Sequence, residues 1–390
     1  MNNSLPAILG GEPVRPNGSP HWPPHSSRII EAINQALSNN TWGLYHGPAV
    51  KSLEKALTEY FEVESAITCA SGTLAMEIAL RAAQVGGGDE VILSAYDYEP
   101  NFLNILHLGA KPVLVDTSAQ LPVADFDQLL TAISDRTKAI ILSHMHGAII
   151  PVQELRERLN QPIVIIEDAA QVPGGSIGSR KLGSLGDISV ISFGGSKLLS
   201  AGRGGALLAQ SPQLMQRAKL ALSRGIQQIA VLSELQATVL LPQLLELDLM
   251  TQDRQQKVSL ISSEIQNLPG IQLFSNLDSC TIPAYYKVGF WYDSAKFGMP
   301  RSLFVQAMHA EGIPFDPGFH ALHIGRAKSR YLAGSAGFPN AERAHREIVK
   351  LHHPALLGTD ASVLEIVSAL KKVAQYSTEI NTTLGSMCPN

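Results

Sequence analysis

The sequence predicts an α/β protein: a mostly parallel seven-stranded sheet in a large domain, followed by a smaller C-terminal α+β domain. Two observations carry this. Seven short apolar runs lie between residues 65 and 209, separated by amphipathic stretches of helical period, and a mainly helical stretch from 211 to 265 ends the alternation. Runs of this kind are strands covered by helices on both faces.

The elements follow in order. Residues 1–25 are rich in Pro, Gly and Asn and read as an extended N-terminal arm. "SSRIIEAINQALSNN" then spaces its apolar residues as one face of a helix. The seven strands are placed on "SAITCA", "DEVILSA", "KPVLVD", "KAIILSH", "PIVIIED", "DISVISF" and "GGALLA", with helices on "GTLAMEIALRAAQV" and around "NFLNILHLG". The large domain is taken as 26–250. The small domain, 251–390, is read from the strands "IQLFS" and "YKVGFWYD" and the helices "PRSLFVQAMHAEG" and "ASVLEIVSALKKVA".

Composition narrows the function. The 390 residues are 45% hydrophobic and 16% charged, with net charge -4, so neither disorder nor nucleic-acid binding is expected. No stretch approaches the roughly 18 apolar residues of a membrane span, and the start lacks a signal-peptide pattern; a cytoplasmic protein is expected. Cys69, Cys280 and Cys388 lack paired metal-site spacing, and no metal is expected.

Ligands collect at the carboxyl ends of strands in open parallel sheets. Three ends carry suggestive groups. Ser71, Gly72 and Thr73 start a helix, where free N–H groups favour an anion, although a serine or threonine there also serves as a plain cap. Glu167 and Asp168 close the run "PIVIIED", and a buried carboxylate there requires a cation, a donor or a capping role. Lys197 lies in the connection "SFGGSKLLSAGRGG", where desolvation would lower its pKa and make it a usable amine nucleophile. An anion cradle, an acid and a nucleophilic lysine together meet the needs of pyridoxal 5'-phosphate.

These residues resemble the DegT/DnrJ/StrS family of pyridoxal-phosphate-dependent sugar and cyclitol aminotransferases, which have the type I fold. The resemblance runs through "ILGGEPVRP", "SGTLAMEIALRA", "GDEVILSAYDY", "GAKPVLVD", "IIEDAAQ", "SFGGSKLLSAGRGG", "SELQA" and "AERAHREIVKLHHPALL". The arm and the "SFGGSK" form look closest to the branch of scyllo-inosose aminotransferases and aminohydroxybenzoate synthases. The resemblance implies that Lys197 forms the Schiff base and Asp168 pairs with the pyridine nitrogen. Gln171 would lie near the 3-oxygen, Tyr98 would stack on the ring, and Gly72, Thr73 and Ser192 would hold the phosphate. It implies transfer from glutamate or glutamine to a keto-sugar or keto-cyclitol, within a homodimer.

The chain departs from the family in places. Ile229 and Val231 stand where relatives carry Asn and Arg, in a shortened 225–235 segment expected near the partner subunit. Gly194 replaces His or Gln, and Arg203 replaces Glu. Arg203 is a candidate carboxylate ligand or a solvent-facing loop residue. His46, His146 and His320 border the expected cleft and read as structural hydrogen bonders. No G-x-G-x-x-G or P-loop supports a Rossmann or nucleotide-binding alternative. Other chemistry on the same cofactor (dehydration, cyclisation, elimination) and a non-catalytic homologue remain as alternatives.

Overall fold

The computed structural model describes residues 5–224, 227–228, 230–276 and 280–385. Each of the seven expected runs forms a strand: Ser65–Cys69, Glu90–Ser94, Lys111–Val115, Thr137–Ser143, Val164–Asp168, Ile188–Ser192 and Gly205–Ala209. The sheet has an eighth member that the expectation lacked. Leu332–Ala333, two residues contributed from the C-terminal part, pair in parallel with the strand Lys111–Val115.

From one edge the strands begin at Ser65, Gly205, Ile188, Val164, Thr137, Glu90, Lys111 and Leu332. Only Gly205–Ala209 runs antiparallel to its neighbours. The strand interiors are apolar because helices cover both faces; Gly72–Ala82, for example, buries Ala75, Met76, Ile78, Ala79, Leu80 and Ala82. Ala75, Ala79 and Ala82 are small, which lets the helix pack close to the sheet.

A second, antiparallel sheet joins Ile271–Leu273, Lys287–Tyr292, Ile348–His352 and Phe315–Pro317 in that order. It has its own apolar core, separate from that of the large sheet. The helix Glu234–Ile265 serves both cores, with Leu247 in the first and Val258 in the second, and residue 250 lies inside it. Its start is secured by a capping box between Ser233 and Gln236. The buried Glu234 accepts from Ala49 N at 2.7 Å and Val50 N at 3.2 Å in the first turn of the helix Pro48–Phe61, an acid placed on a positive helix end.

The N-terminal segment differs from a free extended arm. Ala7–Leu9 form a 3-10 turn, and the fully buried Glu311 accepts from Ala7 N (2.8 Å), Val14 N (2.9 Å) and Lys372 Nζ (3.1 Å). Arg15 is buried and donates to Glu365 at 2.8 Å. A carboxylate with three donors offsets its own desolvation and anchors the segment, which composition alone does not reveal. Among the described residues no helix is long and apolar enough to cross a membrane.

Candidate active site

The carboxyl ends of the strands meet the second sheet around a cavity of about 600 Å³. Gly72, Thr73, Tyr98, Asp168, Gln171, Ser192 and Lys197 all line it, as do Gly194 and Arg203. His146 lines it too, whereas His46 and His320 do not. Val231 is exposed and outside the lining, and Ile229 lies outside the described residues.

Ser71 caps the helix Gly72–Ala82 by accepting from Leu74 N at 3.1 Å, so the capping reading of this serine holds, and the same turn faces the cavity. Crowding explains the glycine beside it. A Cβ on Gly72 would lie 2.8 Å from Ser192 Cβ, and one on Gly205 would lie 2.6 Å from the Ser71 carbonyl carbon. The helix start therefore packs tightly against the ends of two strands, and a helix N-terminus facing a cavity favours an anion.

Glu167 and Asp168 are adjacent, and strand alternation sends them to opposite faces. Glu167 accepts from Gly183 N (2.7 Å), Leu185 N (2.8 Å), Gly186 N (3.0 Å) and Ser189 Oγ (2.8 Å), with His144 Nε2 at 3.0 Å. Burial pushes its carboxyl up, but His144 and these donors more than offset that and hold it below the usual range. It is a structural hub. Asp168 turns into the cavity, 8% exposed, accepting from Asn101 Nδ2 at 2.8 Å and Ala170 N at 3.0 Å. A carboxylate has about four lone-pair directions, so acceptor capacity remains for a ligand donor.

Behind Asp168 lies a second acid that the sequence reading passed over. Asp97 is 1% exposed; its Oδ1 accepts from Tyr98 N (2.6 Å), Ser143 Oγ (2.9 Å) and Asn101 Nδ2 (3.1 Å). The Asn101 amide thus bridges both acids. Burial, then repulsion from Asp168, pushes Asp97 up to about 8. It lies three residues past the end of the strand Glu90–Ser94, where the strand-end rule already pointed.

Lys197 is held by a closed loop: its N–H donates to Gly194 O (2.8 Å) and Gly195 N to Gly202 O (3.0 Å), with Gly202 and Gly204 at φ +76° and +130°. Ser196 Oγ meets Tyr286 OH at 2.9 Å and ties the loop to the second sheet. Lys197 Nζ sits 4.2 Å from the centre of the Tyr286 ring. Burial pushes its ammonium down to about 8, partly opposed by the charge of Asp168. The result is an amine largely protonated at neutral pH yet near its titration point.

Tyr98 is 42% exposed, its ring 6.0 Å from that of Phe319. Gln171 uses its Oε1 to accept from His146 N at 3.1 Å. His146 is buried in left-handed backbone (φ 55°), its ring edge-on to Phe319, and its Nδ1 has no hydrogen-bond partner among the described residues. Burial, then Lys350 and Lys287, push it well below the ordinary histidine range.

Residues 24–371 match the DegT/DnrJ/EryC1/StrS aminotransferase family. The chain belongs to that family. It is 29% identical to the L-glutamine:2-deoxy-scyllo-inosose aminotransferase of Streptoalloteichus tenebrarius, across 96% of this chain and 98% of the relative. The enzyme of the same name from Micromonospora echinospora is 30% identical over 95% of this chain and 98% of its own. GDP-perosamine synthase of Caulobacter vibrioides is 30% identical over 73% of this chain and 80% of its own. Among solved structures, 3-amino-5-hydroxybenzoic acid synthase superposes with a TM-score of 0.82 at 25% identity, covering 92% of this chain and 99% of that one. This protein is accordingly an aminotransferase with the α/β architecture of its family. The cavity residues contributed by the second sheet, Tyr286, Lys287, Asp316 and Lys350, had no signal in the local sequence.

Proposed function

We propose that this aminotransferase uses pyridoxal 5'-phosphate to carry an amino group from glutamine or glutamate to the ketone carbon of a cyclitol or sugar. The observation that carries this reading is the convergence of an anion cradle, an acid and a depressed lysine on one cavity. The residues present fit the cofactor. The turn at Gly72 and the end of the strand at Ser192 border the same cavity as Lys197, and Asp168 keeps free acceptor capacity there.

In this reading Gly72 N–H and the Thr73 and Ser192 hydroxyls hold the phosphate, Tyr98 covers one face of the ring, and Gln171 lies beside the 3-oxygen. When bound, the cofactor supplies an electron sink for the carbanion formed at the donor carbon. Asp168 accepts from the ring N–H and keeps it protonated. Lys197 Nζ would hold the cofactor and, as a free amine, would take the proton from the donor Cα. The substrate class is supported by the relatives, whose names specify an inosose or a nucleotide-linked amino sugar.

We also infer a homodimer. Leu245 and Leu249, one turn apart on the helix Glu234–Ile265, are 78% and 70% exposed, and Trp42 and Tyr45 in one loop are 48% and 97% exposed; large apolar side chains left in water in this way mark an association surface. Borohydride reduction of the cofactor-loaded protein followed by peptide mapping tests the central assignment. Label at Lys197, lost in Lys197→Ala, is expected, and label at another residue refutes it.

A further inference from the structure

The second sheet delivers its own charges to the cavity. Register pairs Gly289 with Lys350 and Lys287 with His352, so Lys287 and Lys350 sit diagonally on one face of adjacent antiparallel strands. On the other side of the same strand Asp316 lies directly opposite Lys350. All three line the cavity. Among the described residues neither lysine makes an ion pair or a side-chain hydrogen bond. Their contacts are aromatic: Lys287 Nζ lies 5.4 Å from the Tyr286 ring centre and Lys350 Nζ 4.8 Å from that of Phe319.

Two ammonium groups kept side by side in a partly enclosed cavity repel each other, and both are pushed below the ordinary lysine range, chiefly by burial. Surface lysines would turn to solvent. These instead face a space that a ligand must enter, where an anion would compensate them. The cofactor phosphate has its own cradle on the large sheet. Lys287 also shares the Tyr286 ring with Lys197, which places this charge beside the reacting amine. An anion bound there would be held on the Lys197 side of the cavity.

We propose that Lys287 and Lys350 form the subsite for the α-carboxylate of the amino donor, with Asp316 engaging Lys350 when a neutral carbonyl substrate takes the donor's place. The proposal rests on the transamination reading and deepens it. It explains how one cavity serves a charged donor and an uncharged polyol in alternation: the carboxylate and Asp316 exchange as partners of Lys350, so that cation keeps a counter-charge with either substrate.

The test uses the cofactor-loaded protein, titrated at neutral pH with L-glutamine and with L-isoglutamine, whose α-carboxylate is an amide. Binding of 2-oxoglutarate is measured separately by calorimetry. Lys350→Met and Lys287→Met, which keep the apolar stem, should raise half-saturation for L-glutamine on the order of tenfold to a hundredfold with the limiting rate nearly unchanged, as loss of a charge-assisted bond predicts. They should weaken 2-oxoglutarate in step and leave L-isoglutamine unaffected, and Lys350→Arg should restore most of the affinity. Unchanged half-saturation, or equal weakening of both amines, overturns the subsite. A wild-type protein with borohydride label absent from Lys197 and no spectral response to glutamine or glutamate overturns the transamination reading instead, and the subsite with it.

Discussion

The depressed ammonium of Lys197 makes a quantitative prediction about the cofactor-free protein. With the group at about 8 rather than 10.5, roughly half of it is free amine at pH 8, against well under 1% for an ordinary lysine, a gain of about a hundredfold. The difference corresponds to about 3 kcal/mol between the two protonation states. Burial lowers the group and Asp168 raises it, so Asp168→Asn should move it lower still. The assay is borohydride-trapped labelling by pyridoxal 5'-phosphate across a pH series, read at the Lys197 peptide, because Lys287 is also pushed down to about 8 and must be separated by mapping. The labelling midpoint should fall near pH 8 in the wild type and below it in Asp168→Asn.

The same shift has a stability consequence of definite sign. Below pH 8 both folded and unfolded chains hold the Lys197 proton and the burial penalty is fully present; between about 8 and 10.5 the unfolded chain holds more of it, so folding gains stability as pH rises. Cofactor-free Lys197→Met should be the more stable protein at neutral pH and should show a smaller rise in urea denaturation, the remainder belonging to Lys287, also pushed down to about 8. A labelling midpoint near 10, or an upward shift in Asp168→Asn, refutes the assignment of burial as the cause.

Three other outcomes follow from particular contacts. Gly72→Ala forces a Cβ to within 2.8 Å of Ser192 Cβ, so cofactor affinity should fall about tenfold or more with circular dichroism unchanged; equilibrium dialysis measures it. Asp97 is raised from 3.8 to about 8, so the folded chain holds an extra proton across that window and loses stability as pH rises through it. Asp97→Asn should flatten the change in urea midpoint between pH 5 and pH 8, and parallel profiles would contradict the buried acid. Leu245→Asp puts a charge in the exposed apolar surface and should shift light scattering towards the monomer, with its thermal midpoint little altered because Leu245 is 78% exposed.

The large sheet and half of the site were legible in the sequence for one reason. Strand ends in a parallel sheet are marked by where apolar runs stop, and Lys197, Asp168 and the turn at Ser71 all sit at such ends. The same rule could not rank Glu167 against Asp168. Alternation says that they face opposite ways, but only the fold shows that the turn at Gly183–Gly186 supplies the donors that make Glu167 structural. The docked N-terminal segment was hidden likewise, because its anchor, Glu311, lies about 300 residues along the chain.

The other half of the site had no local signature. Lys287, Asp316 and Lys350 are far apart in sequence, each in an unremarkable short strand, and become a charged group only through the register of three antiparallel strands. Register is set by packing of the second core rather than by the lysines themselves. This division has a functional logic. In the proposed assignment the cofactor-binding groups follow contiguous strand-end motifs, whereas the donor-carboxylate groups come from a separate sheet, where substitutions should leave the cradle intact. Changes at Lys287 and Lys350 should therefore weaken every donor that carries an α-carboxylate while leaving cofactor affinity within about twofold, whereas changes at Gly72 or Asp168 should reduce cofactor affinity itself.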